Sequence, residues 1–196
     1  MVITKLNQLD LSKVYTFKDY LSWQFKERIE LLRGHIAKMS PAPSTRHQMI
    51  SRQLFQELSG LLKKKKYQIF YAPFDVYLPS LEGDTVVQPD ICIITDTSKI
   101  RKHGCVGSPD LVIEILSPGN SRREMKDKFE LYEQSGVKEY WVVFPSEQVL
   151  QIYSLKDGKY FSQRPYVKGD TVSSDVLDGL NINLDEIFED TLHLED

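Results

Sequence analysis

The run Leu111-Val112-Ile113-Glu114-Ile115-Leu116 constrains the fold more than any other stretch of the chain, because a strand this apolar on both faces belongs inside a covered sheet and yet carries a carboxylate. Side chains alternate along a strand, so Glu114 shares a face with Val112 and Leu116 and nothing in its own strand can neutralise it. Its partner comes from elsewhere in the fold, as an internal ion pair with Lys or Arg or as a shared cation. Asp90 poses the same problem in Val86–Ile94, where Gln88, Asp90 and Cys92 point one way and Val87, Ile91 and Ile93 the other. Taken alone, Asp90 is also explained by a Pro-Asp turn that opens a strand. Two carboxylates meeting between strands repel, unless one is protonated or a cation lies between them, and carboxylate oxygens are what Mg²⁺ prefers.

The surrounding pattern alternates strands and helices. Thr16 is placed to cap a short helix over 17–23. Apolar segments at 28–32 and 35–39 flank Arg33-Gly34 as a hairpin. Ser44 opens a long helix to about Lys64, with Ile50, Leu54, Leu58, Leu61 and Leu62 at helical spacing. Two segments rich in β-branched and aromatic residues, 67–78 and 86–95, read as neighbouring strands, and 110–116 follows them. Ser117-Pro118-Gly119-Asn120 ends that strand, and a helix from about Ser121 to Gln134 turns Met125, Phe129 and Tyr132 inward before stopping at Gly136. A strand at 139–144, a hairpin of 148–153 with 159–163 around Asp157-Gly158, and an apolar tail at 176–188 complete the order. The expected class is α/β, a mixed sheet flanked by helices with one hairpin near each end, and residues 1–196 form one domain.

Lys128 lies on the helix that follows the Glu114 strand. Lys126, Glu130 and Glu133 take the outer side of that helix, which leaves the Lys128 amine able to reach back to the strand end or to remain a snorkelling surface group. The net charge of -3 excludes a protein that coats nucleic acid by bulk positive charge, so any such contact is local. The local candidates are Lys63 to Lys66, equally explained as a solvated helix end, and Arg122, Arg123, Lys126 and Lys128. The two cysteines, Cys92 and Cys105, have neither zinc-ligand spacing nor a disulfide framework around them, which fits a reducing cytoplasm. No run approaches the roughly 18 apolar residues of a membrane span.

These residues carry a resemblance that covers nearly the whole chain. Ile29-Glu30-Leu31-Leu32-Arg33-Gly34, His47-Gln48, Val87-Gln88-Pro89-Asp90, Pro109-Asp110 through Ser117-Pro118, Lys128 to Tyr132, and Gly136-Val137-Lys138-Glu139-Tyr140-Trp141 together resemble the Uma-two family of the restriction-endonuclease-like, PD-(D/E)XK superfamily. The resemblance implies a metal-dependent endonuclease acting on DNA. It implies Asp90, Glu114 and the backbone carbonyl of Ile115 as ligands to Mg²⁺, or to Mn²⁺, with Glu30 as an additional acidic residue. The lysine that the superfamily places two residues after the glutamate is Leu116 here, and the resemblance transfers that role to Lys128 on the next helix. Gln88 and His47 are expected around the ligands, His47 also reading as a merely packed residue on the face of Ile50 and Leu54. Because fold does not fix function, a catalytically inactive binding or regulatory protein on the same scaffold is the alternative. A homodimer is expected only on the ground that many nucleases of this class cut both strands.

Overall fold

The computed structural model describes residues 3–24, 27–39, 43–63, 65–80, 82–117 and 122–189, without the side chains of 122–124. The Thr16 hydroxyl accepts the Asp19 N–H and Asp19 accepts the Thr16 N–H, a reciprocal cap that starts α1 (Phe17–Ser22). β1 (Ile29–Leu32) and β2 (His35–Lys38) make the expected hairpin, in which Gly34 adopts φ +80°. Ser44 accepts the His47 N–H and starts α2 (Thr45–Leu62), which buries Ile50, Leu54, Leu58 and Leu62 at the predicted spacing. Leu61 departs from that stripe and is exposed.

The two long strands expected at 67–78 and 86–95 are each broken in the middle. The first becomes β3 (Gln68–Tyr71) and β4 (Val76–Leu78), the second β5 (Thr85–Val87) and β6 (Ile91–Ile94). They are neighbours as expected, but in halves: β3 pairs with β6, and β4 with β5, in two different sheets. A proline stands in each break, Pro73 and Pro89, and proline has no N–H to donate to a ladder. The breaks lie side by side, the Ala72 N–H donating to the Asp90 carbonyl at 3.0 Å. This crossing places Asp75, Gln88 and Asp90 where the ribbon changes sheets.

A short hairpin absent from the sequence reading follows, β7 (Ile100–Arg101) and β8 (Gly104–Val106). β8 runs parallel to β4 and closes a six-stranded sheet of order β2-β1-β5-β4-β8-β7. Gly104, at φ +129°, is required there, because a Cβ would overlap the Asp75 carbonyl.

β9 (Leu111–Ile115) is buried along its whole length. Pro118, Gly119, Asn120 and Ser121, expected to end it and to start the next helix, lie outside the described residues. α3 (Arg122–Ser135) returns the chain to β10 (Glu139–Phe144), which pairs parallel with β9. β11 (Val149–Lys156) and β12 (Lys159–Ser162) form the second expected hairpin, one strand longer than predicted, and β13 (Tyr166–Val167) also pairs with β11. The central sheet has the order β12-β11-β10-β9-β6-β3. β14 (Thr171–Ser173), β15 (Asn181–Asn183) and α4 (Leu184–Phe188) form the tail, whose Leu180, Ile182, Leu184, Ile187 and Phe188 are buried as expected.

The two faces of the central sheet are covered differently. Ile91, Ile93, Leu111, Ile113 and Ile115 pack with the α2 stripe and the tail. Cys92, Ile94, Val112 and Val142 pack on the other side with Leu131 and Tyr132 of α3 and with Val76 and Val87 of the second sheet. Glu114 belongs by alternation to this second face. Among the described residues no helix is long and apolar enough to cross a membrane.

Candidate metal centre

In the antiparallel pairing of β6 with β9, Ile91 stands opposite Ile113 and Cys92 opposite Val112. Carried one residue further, that register sets Asp90 opposite Glu114. The break at Pro89 releases Asp90 from the ladder, and its Oδ2 accepts the Ile115 N–H at 2.8 Å. The same oxygen meets His47 Nε2, 3.2 Å away on the first turn of α2. His47 is buried on the face of Ile50 and Leu54, as its spacing implies, and its ring also meets the Asp90 carboxylate.

Glu114 takes its partners from α3. Lys128 Nζ lies 2.9 Å from Glu114 Oε1, and the Tyr132 hydroxyl, one helical turn on, donates to the same oxygen at 2.7 Å. Glu30 enters from β1: its Oε1 accepts the Gln88 N–H at 2.9 Å and lies 3.4 Å from Lys128 Nζ. Asp90, Glu114, Glu30, Lys128 and His47 thus border one open cleft with room for about 90 Å³ of contents, to which Ile115 and Leu116 also contribute.

The electrostatics follow from crowding. Burial pushes the Glu114 carboxyl up; Lys128 pulls it down, while Asp90 and Glu30 add to the rise, and it settles at about 7. Burial works against the Lys128 ammonium, but Glu114 and Glu30 outweigh it and hold Lys128 well above the usual range. The amine therefore stays charged and serves as the cleft's resident cation.

The donor pattern bears on a metal. In each carboxylate the protein donors gather on a single oxygen: Oδ2 of Asp90, Oε1 of Glu114 and Oε1 of Glu30. No hydrogen bond among the described residues reaches the second oxygen of any of them, and none of those second oxygens is a buried atom lacking a partner. They are left to the cleft. Acceptor-only oxygens, and more negative charge than one ammonium offsets, suit a hard divalent cation. Among the described residues no three His, Cys, Asp or Glu side chains stand together ready to enclose a metal, so such an ion would rest on fewer side chains together with backbone or solvent oxygen.

Two residues that line the cleft, Arg28 and Tyr140, and one buried beside Glu114, Tyr132, carry no signal of their own as site members. Tyr132 was read only as core, Tyr140 as part of a strand, and Arg28 as a strand end; all three are set by tertiary approach. Of the basic candidates, Lys65 is drawn to Asp178 at 3.3 Å and Lys126 to Glu130 at 3.6 Å, away from the cleft. Lys64 and the side chains of Arg122 and Arg123 lie outside the described residues.

Fold and cleft together define a restriction-endonuclease-like α/β protein. The chain belongs to the Uma2 family, whose description reads "Putative restriction endonuclease" and whose profile matches residues 17–185. Among solved structures it is similar to "a putative nuclease belonging to DUF820" from Anabaena variabilis, with a TM-score of 0.71 and 20% identity, over 89% of this chain and 97% of that one. At that identity the likeness is one of fold. None of the curated proteins matches the chain.

Proposed function

We propose that the protein is a metal-dependent endonuclease that hydrolyses phosphodiester bonds in DNA. The observation that carries this reading is that Asp90, Glu114 and Glu30 line one open cleft, Glu114 and Glu30 paired with the Lys128 amine and Asp90 held by His47 and the Ile115 N–H, each carboxylate keeping one oxygen without a donor among the described residues. Asp90, Glu114 and the Ile115 carbonyl would hold Mg²⁺ or Mn²⁺, with Glu30 beside them. A divalent cation bound there supplies a Lewis acid for the phosphoryl group and acidifies water in contact with it.

The chain's own groups divide the remaining work. His47 and the Ile115 N–H fix the rotamer of Asp90. Tyr132 holds Glu114 from behind, so that its second oxygen faces the cleft. Lys128, charged and rigidly paired, orients an attacking water and offsets the charge that develops on the phosphoryl oxygens.

Incubation of plasmid and linear DNA with Mg²⁺ or Mn²⁺ tests the reading, comparing the unaltered protein with Asp90→Ala, Glu114→Ala and Lys128→Ala. Cleavage confined to the unaltered protein supports it; equal cleavage by all four preparations marks a contaminant and overturns it. A second reading, a non-cutting binding protein, draws on Leu116 standing where the superfamily has its lysine and on the lack of a three-ligand cluster among the described residues. Calorimetric titration separates the two, because a silent response to both metals favours the second.

A further inference from the structure

The cleft is acidic, yet the substrate class proposed for it is an anion, so something on its rim must attract phosphate. Arg28 is placed to do so. It borders the active cleft on one side and, on the other, a hollow of about 380 Å³ walled by Tyr20, Trp23, Asp75 and His103. Any polymer that lies in the cleft and continues into this hollow passes the guanidinium.

Arg28 is also held in place. Its Nε donates to Gln88 Oε1 at 2.9 Å, Gln88 Nε2 donates to Asp75 Oδ1 at 2.7 Å, and the Tyr20 hydroxyl donates to the same Asp75 oxygen at 3.1 Å. The relay is anchored at both ends. Asp75 accepts the Cys105 N–H through its carbonyl, against which Gly104 packs without room for a Cβ, and the Gln88 N–H is committed to Glu30. Only Nε of Arg28 is engaged in this way. Among the described residues no hydrogen bond or ion pair reaches its terminal nitrogens, so the planar fork that matches a phosphate remains open. A long, exposed arginine without a partner at Nε would sample many rotamers; this one is oriented before any ligand arrives.

Resting on the nuclease reading above, we propose that Arg28 is a positioning residue that binds the backbone phosphate next to the one being cut, on the side of the Tyr20–Asp75 hollow. Gln88 acts through Arg28: its side chain aims the guanidinium, while its backbone serves Glu30.

The test is binding of a short fluorescent DNA duplex in Ca²⁺, measured by anisotropy at several salt concentrations, for the unaltered protein, Arg28→Ala, Arg28→Lys and Gln88→Ala. Losing one phosphate contact is expected to weaken binding by on the order of tenfold at low salt, and to make the slope of log K against log salt shallower by about 0.9. Arg28→Lys restores the slope but not the whole affinity, since an ammonium keeps the charge and loses the fork. Gln88→Ala keeps the slope and loses part of the affinity. In cleavage assays, Arg28→Ala raises KM more than it lowers kcat. An unchanged slope in Arg28→Ala, with DNA still bound and cut, overturns the Arg28 assignment and leaves the nuclease reading intact. Unaltered protein that neither binds nor cuts DNA overturns both.

Discussion

The Lys128 ammonium stands 2.9 Å from the Glu114 carboxylate, and both side chains are about nine-tenths buried. A charge pair this dry is costly to break from one side, because the survivor keeps its desolvation penalty and loses its partner. Glu114 has an escape that Lys128 lacks, since protonation at about 7 neutralises it.

That asymmetry sets the first prediction. Lys128→Met lowers stability by about 3 kcal/mol at pH 8, where Glu114 must either ionise unpaired or hold a proton against the pH, and by much less at pH 5, where it is protonated in both proteins. Urea unfolding at the two pH values measures the difference. Equal losses at both would show that the pair carries no charge coupling.

The wild type has its own pH dependence. A carboxyl whose folded value is raised from 4.5 to about 7 binds more protons in the folded state between those limits. Its contribution is complete below 4.5 and is lost as pH rises through 7. Without divalent cations, stability therefore falls across this window, and Glu114→Gln flattens the fall. Mg²⁺ or Mn²⁺ opposes it, raising Tm more at pH 8 than at pH 5; a ligand at about 100 times its Kd adds about 2.7 kcal/mol.

His47 meets Asp90 through Nε2 and touches no other member of the cleft by a hydrogen bond among the described residues, so its effect passes through the orientation of that carboxylate. His47→Ala is expected to weaken Mn²⁺ binding by about 10- to 100-fold, the range typical of groups that orient metal ligands. Calorimetry on the folded variant measures it, with circular dichroism to show that α2 is intact. Unchanged metal affinity would return His47 to a packing role.

Much of this arrangement was legible in the chain. The α2 stripe, the β9–α3–β10 unit and both hairpins follow from periodicity and turn chemistry, and Glu114 announced itself as a carboxylate in an apolar strand. Less legible was the crossing at Pro73 and Pro89, because each broken strand keeps the composition of a continuous one while its halves join different sheets. Alternation counted from Val86 to Ile94 consequently fails at Pro89, and the side-chain direction of Asp90 was set by Ile115 and His47 instead. Arg28 and Tyr132 were invisible as site members for a related reason: hydrogen bonds between residues as distant in sequence as Arg28 and Gln88 leave no local periodicity.

Asp110 provides the opposite pH sign within the same fold. Only 2% exposed, it stands at the start of β9, and burial alone would raise its carboxyl. Its Oδ2 accepts both the backbone N–H and the hydroxyl of Thr95 at 2.8 Å, and its Oδ1 accepts Lys138 Nζ at 2.7 Å; together these outweigh burial and hold it below the usual 3.8. A depressed folded value means stability that is present above 3.8 and lost as pH falls through the folded value. Asp110→Asn should therefore remove part of the acid-side loss while leaving the fall above 4.5 untouched, since that belongs to Glu114 and to Glu139, whose carboxyl burial also pushes up. At neutral pH the substitution costs about 1–3 kcal/mol, because an amide cannot accept from all three donors. Lys138 is 60% exposed, so Lys138→Ala alone costs under about 1 kcal/mol. Unfolding by urea from pH 2.5 to 8 resolves the two limbs, and an Asp110→Asn curve parallel to wild type on the acid side would assign that limb to other carboxylates.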